Sequence, residues 1–203
     1  LRSGDVAARA NFCTLDAQGL ITDRRAGRIP TEVCQRLCGI LSAKIKKLGA
    51  TEVLIQPGKE HRFVVVFRGA GLEGPVTDTD PGREKMPIGE ARPTDPKNAK
   101  QKKVAKLVAD FYKAALPLIA KEKPANGFLM RGIAHQPEIP RFQDRYGLKP
   151  ACLAVYPMYK GVARLIGMEV LEFNGTSPKD EVAALKEAYE KYTFFFIHVK
   201  GAD

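Results

Sequence analysis

The chain has 203 residues, 44% of them hydrophobic, and a formal net charge of +10, because 33 Lys and Arg oppose 23 Asp and Glu. This predicts one domain with a real core, or one domain plus part of another, and it excludes wholesale disorder. No apolar run reaches the roughly 18 residues of a membrane span, the first residues show no export signal, and the four cysteines lack disulfide spacing, so we expect a cytoplasmic protein.

The first third of the chain predicts β-strands around one helix. Four stretches have the alternation or the β-branched content of strands: residues 8–15, 20–22, 53–56 and 63–67. A helix is predicted from Pro30 to about Leu48, with Gly49 as its stop. Before that helix, residues 23–28 form a loop that holds three arginines around a glycine.

The middle of the chain combines a long loop with the longest helix. Residues 69–96 are rich in Gly, Pro, Asp and Thr and lack periodicity, which predicts a loop that is functional or mobile. Residues 98–121 carry a helical pattern, and Pro117 is expected to kink that helix or to mark its end. A short strand, residues 128–130, is expected to present Arg131 at its carboxyl end.

The last quarter alternates apolar runs with short helices. The predicted elements are an apolar run at 151–156, a helix entered at 160–164, a strand at 169–173 and a helix that Ser177 caps. Residues 193–199 are almost continuously apolar, which predicts a central strand covered on both faces. Ligands of α/β sheets bind beyond the carboxyl ends of strands, so Asp203 would be well placed for a metal or a substrate.

The positive charges fall into two groups. Lysines gather on the two longest predicted helices, where a solvated face is a better interpretation than a nucleic-acid surface, because no aromatic residues interleave with them. Arginines instead stand beside glycines in loops: Arg24, Arg25, Arg28, Arg68 and Arg131. A guanidinium there can offer two parallel hydrogen bonds to a phosphate or carboxylate, which favours a small-anion site over surface ion pairing.

Other candidate motifs give less. Asp78 and Asp80 could share a cation or act as an acid/base pair, or their Asp-x-Asp-Pro pattern could simply form a turn. Glycine-rich phosphate loops are absent, which excludes P-loop nucleotide hydrolysis and a Rossmann cofactor. Within the last predicted strand, His198 is expected to be a structural imidazole.

Two segments are distinctive: Asp-Arg-Arg-Ala-Gly-Arg at residues 23–28 and Lys-Gly-x-Ala-Arg-x-x-Gly-Met at residues 160–168. With further segments in the same order, the whole chain resembles the archaeal-type cofactor-independent phosphoglycerate mutases of the alkaline phosphatase superfamily. The resemblance implies an α/β fold. Residues 1–150 would be an inserted substrate-binding domain, a small mixed sheet flanked by helices. Residues 151–203 would return, incompletely, into a metal-binding phosphatase-like α/β domain.

The resemblance also implies a reaction. Such enzymes interconvert 3- and 2-phosphoglycerate through a phosphoserine and two divalent metals, Mn²⁺ or Mg²⁺, without 2,3-bisphosphoglycerate. By position, the substrate clamp would comprise Asp23, Arg24, Arg25, Arg28, Arg68, Arg131 and Lys160. Asp203 matches a metal ligand of the family. Family members are considerably longer and their serine lies upstream of Leu1, so we expect a fragment that is inactive alone.

Two alternatives stay open. The same scaffold could act on another substrate, as a homoserine kinase-like enzyme or a phosphonopyruvate decarboxylase. Or the chain could be a basic module whose lysine faces bind nucleic acid. We favour phosphoglycerate as the partner, with no nucleic acid and no membrane.

Overall fold

The computed structural model describes residues 1–199. The chain forms two compact units, and their boundary in the sequence falls between Gln136 and Pro137. The α/β class predicted from the sequence is confirmed, with helices packed on β-sheets. The sequence placed a domain boundary near residue 150, and the assignment of those two domains stays a prediction. None of the helices in residues 1–199 is long and apolar enough to cross a membrane.

The first unit is a six-stranded sheet with two helices. Its strands are β1 (Val6–Leu15), β2 (Ile21–Asp23), β3 (Lys47–Leu48), β4 (Thr51–Pro57), β5 (Arg62–Arg68) and β6 (Gly127–His135), and its helices are α1 (Thr31–Lys44) and α2 (Ala99–Ile119). β1 is central, between β5 and β6, and β4 and β3 follow beyond β5. All of these pairings are antiparallel, so this sheet is not the mixed sheet that was expected.

Alternation along β1 decides which face of the sheet is covered. Val6, Ala8, Ala10 and Phe12 are buried in the core that also contains residues of α1 and α2. Five phenylalanines fill this core and contact one another ring to ring: Phe12, Phe63, Phe67, Phe111 and Phe128. Because side chains of a strand alternate between faces, Arg9 points to the other side, where it is exposed.

Two sequence predictions in this unit are wrong in detail. The first helix ends at Lys44 rather than Leu48, because Leu48 pairs with Thr51 in a tight hairpin whose turn contains Gly49 at φ +58°. β6 continues past Arg131 to His135, so Arg131 lies inside a strand and not at its carboxyl end. By contrast, Pro117 lies in the last turn of α2, as predicted for a residue that marks the helix end.

The second unit is a three-stranded parallel sheet. Its strands are β7 (Pro150–Ala154), β8 (Glu169–Val170) and β9 (Phe194–His198), and its helices are α3 (Phe142–Tyr146), α4 (Pro157–Leu165) and α5 (Pro178–Ala188). Ser177 caps α5 as predicted, in a reciprocal pair with Asp180. Within residues 137–199, β7 is the buried central strand and β9 lies at the edge, with Ile197 exposed. The prediction of a covered central strand at 193–199 is therefore not met there, because β9 has β7 as its one partner among these residues.

Candidate anion-binding site

The long loop at residues 69–96 is packed against strand edges. Val76 forms a bridge to Ile133 of β6, and the Thr79 N–H donates to the Met130 carbonyl at 2.9 Å. The fully buried Thr79 hydroxyl accepts from the Met130 N–H at 2.8 Å and lies 2.6 Å from the Tyr112 hydroxyl. These bonds fix the two residues that flank Thr79, Asp78 and Asp80, beside β6.

Asp80 binds Arg24 through two hydrogen bonds. Nε and Nη2 of Arg24 donate to the two carboxylate oxygens at 3.0 and 2.7 Å, and the Gly82 N–H donates at 2.9 Å. The Asp80 side chain is only 2% exposed. Burial tends to raise the pKa of Asp80, but the hydrogen bonds from Arg24 and Gly82 outweigh it and hold that pKa below its usual value. Asp80 is therefore an ionised, buried carboxylate.

Arg131 lies next to this pair with looser contacts. Its Nε is 3.6 Å from Asp78 Oδ2 and 3.8 Å from Asp80 Oδ2, distances of ion pairs that are too long for hydrogen bonds. The other oxygen of Asp78 accepts from the Gly132 N–H at 2.8 Å. Because its side chain is 44% exposed, Arg131 keeps hydrogen-bond donors free for a ligand.

Arg9 completes the cluster, and it was not among the site residues predicted from the sequence. Arg9 of β1 is the direct cross-strand partner of Arg131, and both line a cleft of about 430 Å³ with Asp78 and Gly132. In the part of the chain that the structure describes, no carboxylate lies within ion-pair distance of Arg9. The available signal was an arginine at an outward position of a largely apolar strand, which lies outside the pattern of arginines beside loop glycines.

The loop at residues 23–28 is shaped by its aspartate. The Asp23 carboxylate accepts from the N–H groups of Arg25 and Gly27 at 2.7 and 2.5 Å. Three successive residues, from Ala26 to Arg28, have φ between +48° and +61°, a backbone region that residues other than glycine rarely adopt. Asp23 thus stabilises an unusual backbone, while the side chains of Arg25 and Arg28 are exposed and have no ion-pair partner among residues 1–199.

The buried His61 lies near these two free arginines. Burial lowers the pKa of His61 most, and the charge of Arg62 lowers it further. Glu60 acts in the opposite direction, and Arg25 and Arg28 add smaller lowering effects. Its Nδ1 has no hydrogen-bond partner within the described residues. His61 is therefore neutral near pH 7 and adds no charge to the arginine loop.

Three predicted site residues are not among the residues of this cluster. Arg68 makes two 2.9 Å hydrogen bonds to the buried Asp5 and approaches Glu52 at 3.7 Å. Lys160 belongs to the second unit, where its Nζ donates to Glu172 at 2.6 Å. Asp203 lies outside the described residues. The structure thus brings together Arg24 and Arg131 of the predicted set. Of these two, Arg24 lies on the same loop as Arg25 and Arg28.

The cluster is suited to an anion and not to a cation. Asp78 and Asp80, which the sequence left open as a cation site, face guanidiniums instead, and Asp80 also forms a turn bond to Gly82. Among residues 1–199, no three or more His, Cys, Asp and Glu side chains are grouped so that they could hold a metal. The cluster contains three guanidiniums, those of Arg9, Arg24 and Arg131, and two carboxylates, which leaves one positive charge for a ligand.

Comparison with known proteins identifies relatives over the whole chain. Residues 1–126 match the family model described as 2,3-bisphosphoglycerate-independent phosphoglycerate mutase. Proteins named probable 2,3-bisphosphoglycerate-independent phosphoglycerate mutase are similar over 100% of the chain: 40% identical over 212 residues in Aquifex aeolicus and 44% over 205 residues in Thermus thermophilus. The chain spans about half the length of these curated relatives, 51% and 50%.

A solved structure gives the same picture at the level of the fold. A cofactor-independent phosphoglycerate mutase from Thermoplasma acidophilum matches with a TM-score of 0.70 and 29% identity. The match covers 100% of this chain and 56% of that one.

Proposed function

Because the chain belongs to the 2,3-bisphosphoglycerate-independent phosphoglycerate mutase family, we propose that it forms the substrate-binding part of a cytoplasmic enzyme that interconverts 3- and 2-phosphoglycerate in glycolysis. The observation that carries the proposal is the cleft where Arg9 and Arg131 lie side by side with an unbalanced positive charge. Phosphoglycerate carries a phosphate and a carboxylate, and each can accept paired hydrogen bonds from a guanidinium.

The arginines divide by the partners that they already have. Arg9 and Arg131 have free donors in the cleft, so we assign them to direct binding of the anion. Arg25 and Arg28, exposed on the loop that Asp23 shapes, would bind the other end of the substrate or its exchanging phosphate. Arg68 already donates hydrogen bonds from Nε and Nη2 to Asp5, so we assign Arg68 to that ion pair rather than to the substrate.

The chemical step is proposed for the rest of the protein. Residues 1–150 would be the inserted substrate-binding domain and residues 151–203, with Lys160 and Asp203, part of the phosphatase-like domain. A phosphoserine would carry the phosphoryl group, and two divalent metals would stabilise the attacking and leaving oxygens. Residues 1–199 do not themselves form a metal centre. Their task is to bind and orient the substrate.

Calorimetric titration of the chain with 3-phosphoglycerate tests the binding proposal. We expect Arg131→Ala to raise the dissociation constant by about tenfold, as for loss of a charge-assisted hydrogen-bond pair. The matched control is Lys113→Ala, which removes the same charge from the exposed face of α2 and should change the constant by less than about twofold. Equal effects of the two substitutions would show that general charge, and not the cleft, attracts the anion.

A further inference from the structure

We propose that Asp80 is a positioning residue: its buried carboxylate binds the Arg24 guanidinium through two hydrogen bonds and attracts that of Arg131 from 3.8 Å, so that the cleft is formed before an anion enters. This inference rests on the proposed function, because it concerns the same cleft. In this role Asp80 neither holds a cation nor acts as an acid or base, which are two of the three alternatives that its Asp-x-Asp-Pro motif left open.

The first argument is the rigidity of Asp80 itself. Its side chain is 2% exposed, and three hydrogen bonds occupy its oxygens, two from Arg24 and one from the Gly82 N–H. The preceding residue, Thr79, is fully buried and bound to both Met130 and Tyr112. A carboxylate fixed from both sides can orient a flexible arginine side chain at a defined place.

The second argument is the contrast with Asp78. Asp78 lies slightly closer to Arg131 than Asp80 does, at 3.6 Å against 3.8 Å, but its side chain is 42% exposed and it accepts its hydrogen bond from the Gly132 backbone N–H. Asp78 therefore adds negative charge to the rim of the cleft without fixing a guanidinium. The two aspartates should affect anion binding with opposite signs, Asp80 in favour and Asp78 against.

The sign of the mutational effect separates positioning from simple electrostatics. If Asp80 acted only as a negative charge, Asp80→Asn would tighten anion binding, since it removes a repulsion. If Asp80 positions the arginines, the same substitution weakens binding. We expect the dissociation constant for 3-phosphoglycerate, measured by calorimetry, to rise about tenfold in Asp80→Asn and to fall about twofold in Asp78→Asn.

A second variant protects the test against loss of folding. Asp80→Asn leaves Arg24 partly buried beside a neutral group, so the folded fraction is checked by circular dichroism. The double variant Arg24→Gln with Asp80→Asn removes that unpaired charge. If Asp80→Asn does not fold, the affinity of the double variant is measured instead. Because both residues act as one unit, Arg24→Gln, Asp80→Asn and the double variant should weaken binding by the same factor.

The outcomes distinguish this inference from the proposed function. If Arg131→Ala leaves the affinity unchanged, the cleft does not bind phosphoglycerate and the proposed function fails. If Arg131→Ala weakens binding while folded Asp80→Asn or the folded double variant binds as tightly as the wild type or more tightly, the cleft stands and the positioning role of Asp80 is overturned. Weaker binding in both supports both.

Discussion

Two arginine–aspartate pairs of the first unit have almost the same geometry and different surroundings. Arg24 binds Asp80, and Arg68 binds Asp5, each through two hydrogen bonds between 2.7 and 3.0 Å. Both carboxylates are 2% exposed, and the arginines are 31% and 25% exposed. Geometry alone therefore does not distinguish a binding site from a structural ion pair.

The neighbours of the two pairs make the difference. Next to Arg68 lies a second acid, Glu52, so that positive charge is fully compensated. Next to Asp80 lies Arg131, whose partner on the neighbouring strand is Arg9, and Asp78 compensates the charge of only one of these two arginines. We therefore take the unbalanced charge around a fixed pair, rather than the pair itself, as the feature that points to the proposed anion site.

The largest expected effect is on binding. Replacing both Arg9 and Arg131 by Ala should raise the dissociation constant for 3-phosphoglycerate about a hundredfold, because two guanidinium contacts are lost. Arg68→Ala should change it less than about twofold. Calorimetric titrations of the two variants give both values, and a larger effect of Arg68→Ala would invert the comparison.

The second effect is on stability, where Arg68 should contribute more than Arg9. Arg68→Ala leaves the buried Asp5 without its partner, so we expect the melting temperature to fall by about 5 °C. Arg9→Ala removes an exposed side chain without an ion pair and should shift it by less than about 1 °C. Thermal unfolding followed by circular dichroism measures both. Equal shifts would mean that the Asp5 pair is no more structural than the free arginine.

The third effect is on the pH dependence of stability. The pKa of Asp5 is lowered, chiefly by its hydrogen bond from Arg68, and the pKa of Asp80 is lowered despite its burial. A lowered pKa in the folded state means that the unfolded chain binds protons more readily. The stabilisation is therefore present above the unfolded value of about 3.9 and is lost as pH falls through the folded pKa values.

Urea unfolding at pH 6 and pH 3 measures this pH dependence. The wild type should lose stability between these values, and the variant with both Asp5→Asn and Asp80→Asn should lose less, because neither amide titrates. An unchanged difference between the two pH values would show that other carboxylates account for it.

The smallest effect should come from salt. Raising ionic strength screens the exposed Arg9 and Arg131, so anion affinity should fall a few-fold between about 0.1 and 0.5 M salt. Buried pairs are screened much less, so the melting temperature should hardly change. Titrations and melting curves over this range compare the two, and salt-independent affinity would contradict an electrostatic cleft.

Local patterns predicted the local structure well. The predicted features that the structure contains depend on nearby residues: the strands at residues 8–15, 20–22, 53–56 and 63–67, the helix with Pro117 near its end and the Ser177 cap. These are the features that periodicity, β-branching and capping encode directly.

The prediction failed where distant segments decide the structure. Leu48 becomes a strand residue because Thr51 pairs with it, and Arg131 lies within β6 because the start of β1 continues that ladder. The cleft has the same origin: Arg9 and Arg131 meet across strands that are far apart in sequence, and the loop carrying Asp80 packs against β6. The pattern of arginines near glycines includes Arg24 and Arg131, but it does not include Arg9, which lies between two alanines.

The most direct test of the central claim is a titration of the ¹⁵N-labelled chain with 3-phosphoglycerate, followed by amide chemical shifts. We predict saturable shifts at Arg9, Arg131, Gly132 and the loop of residues 23–28, with little change at Asp5 and Arg68. Shifts centred on Asp5 and Arg68, or on the lysine-rich face of α2, would contradict the account.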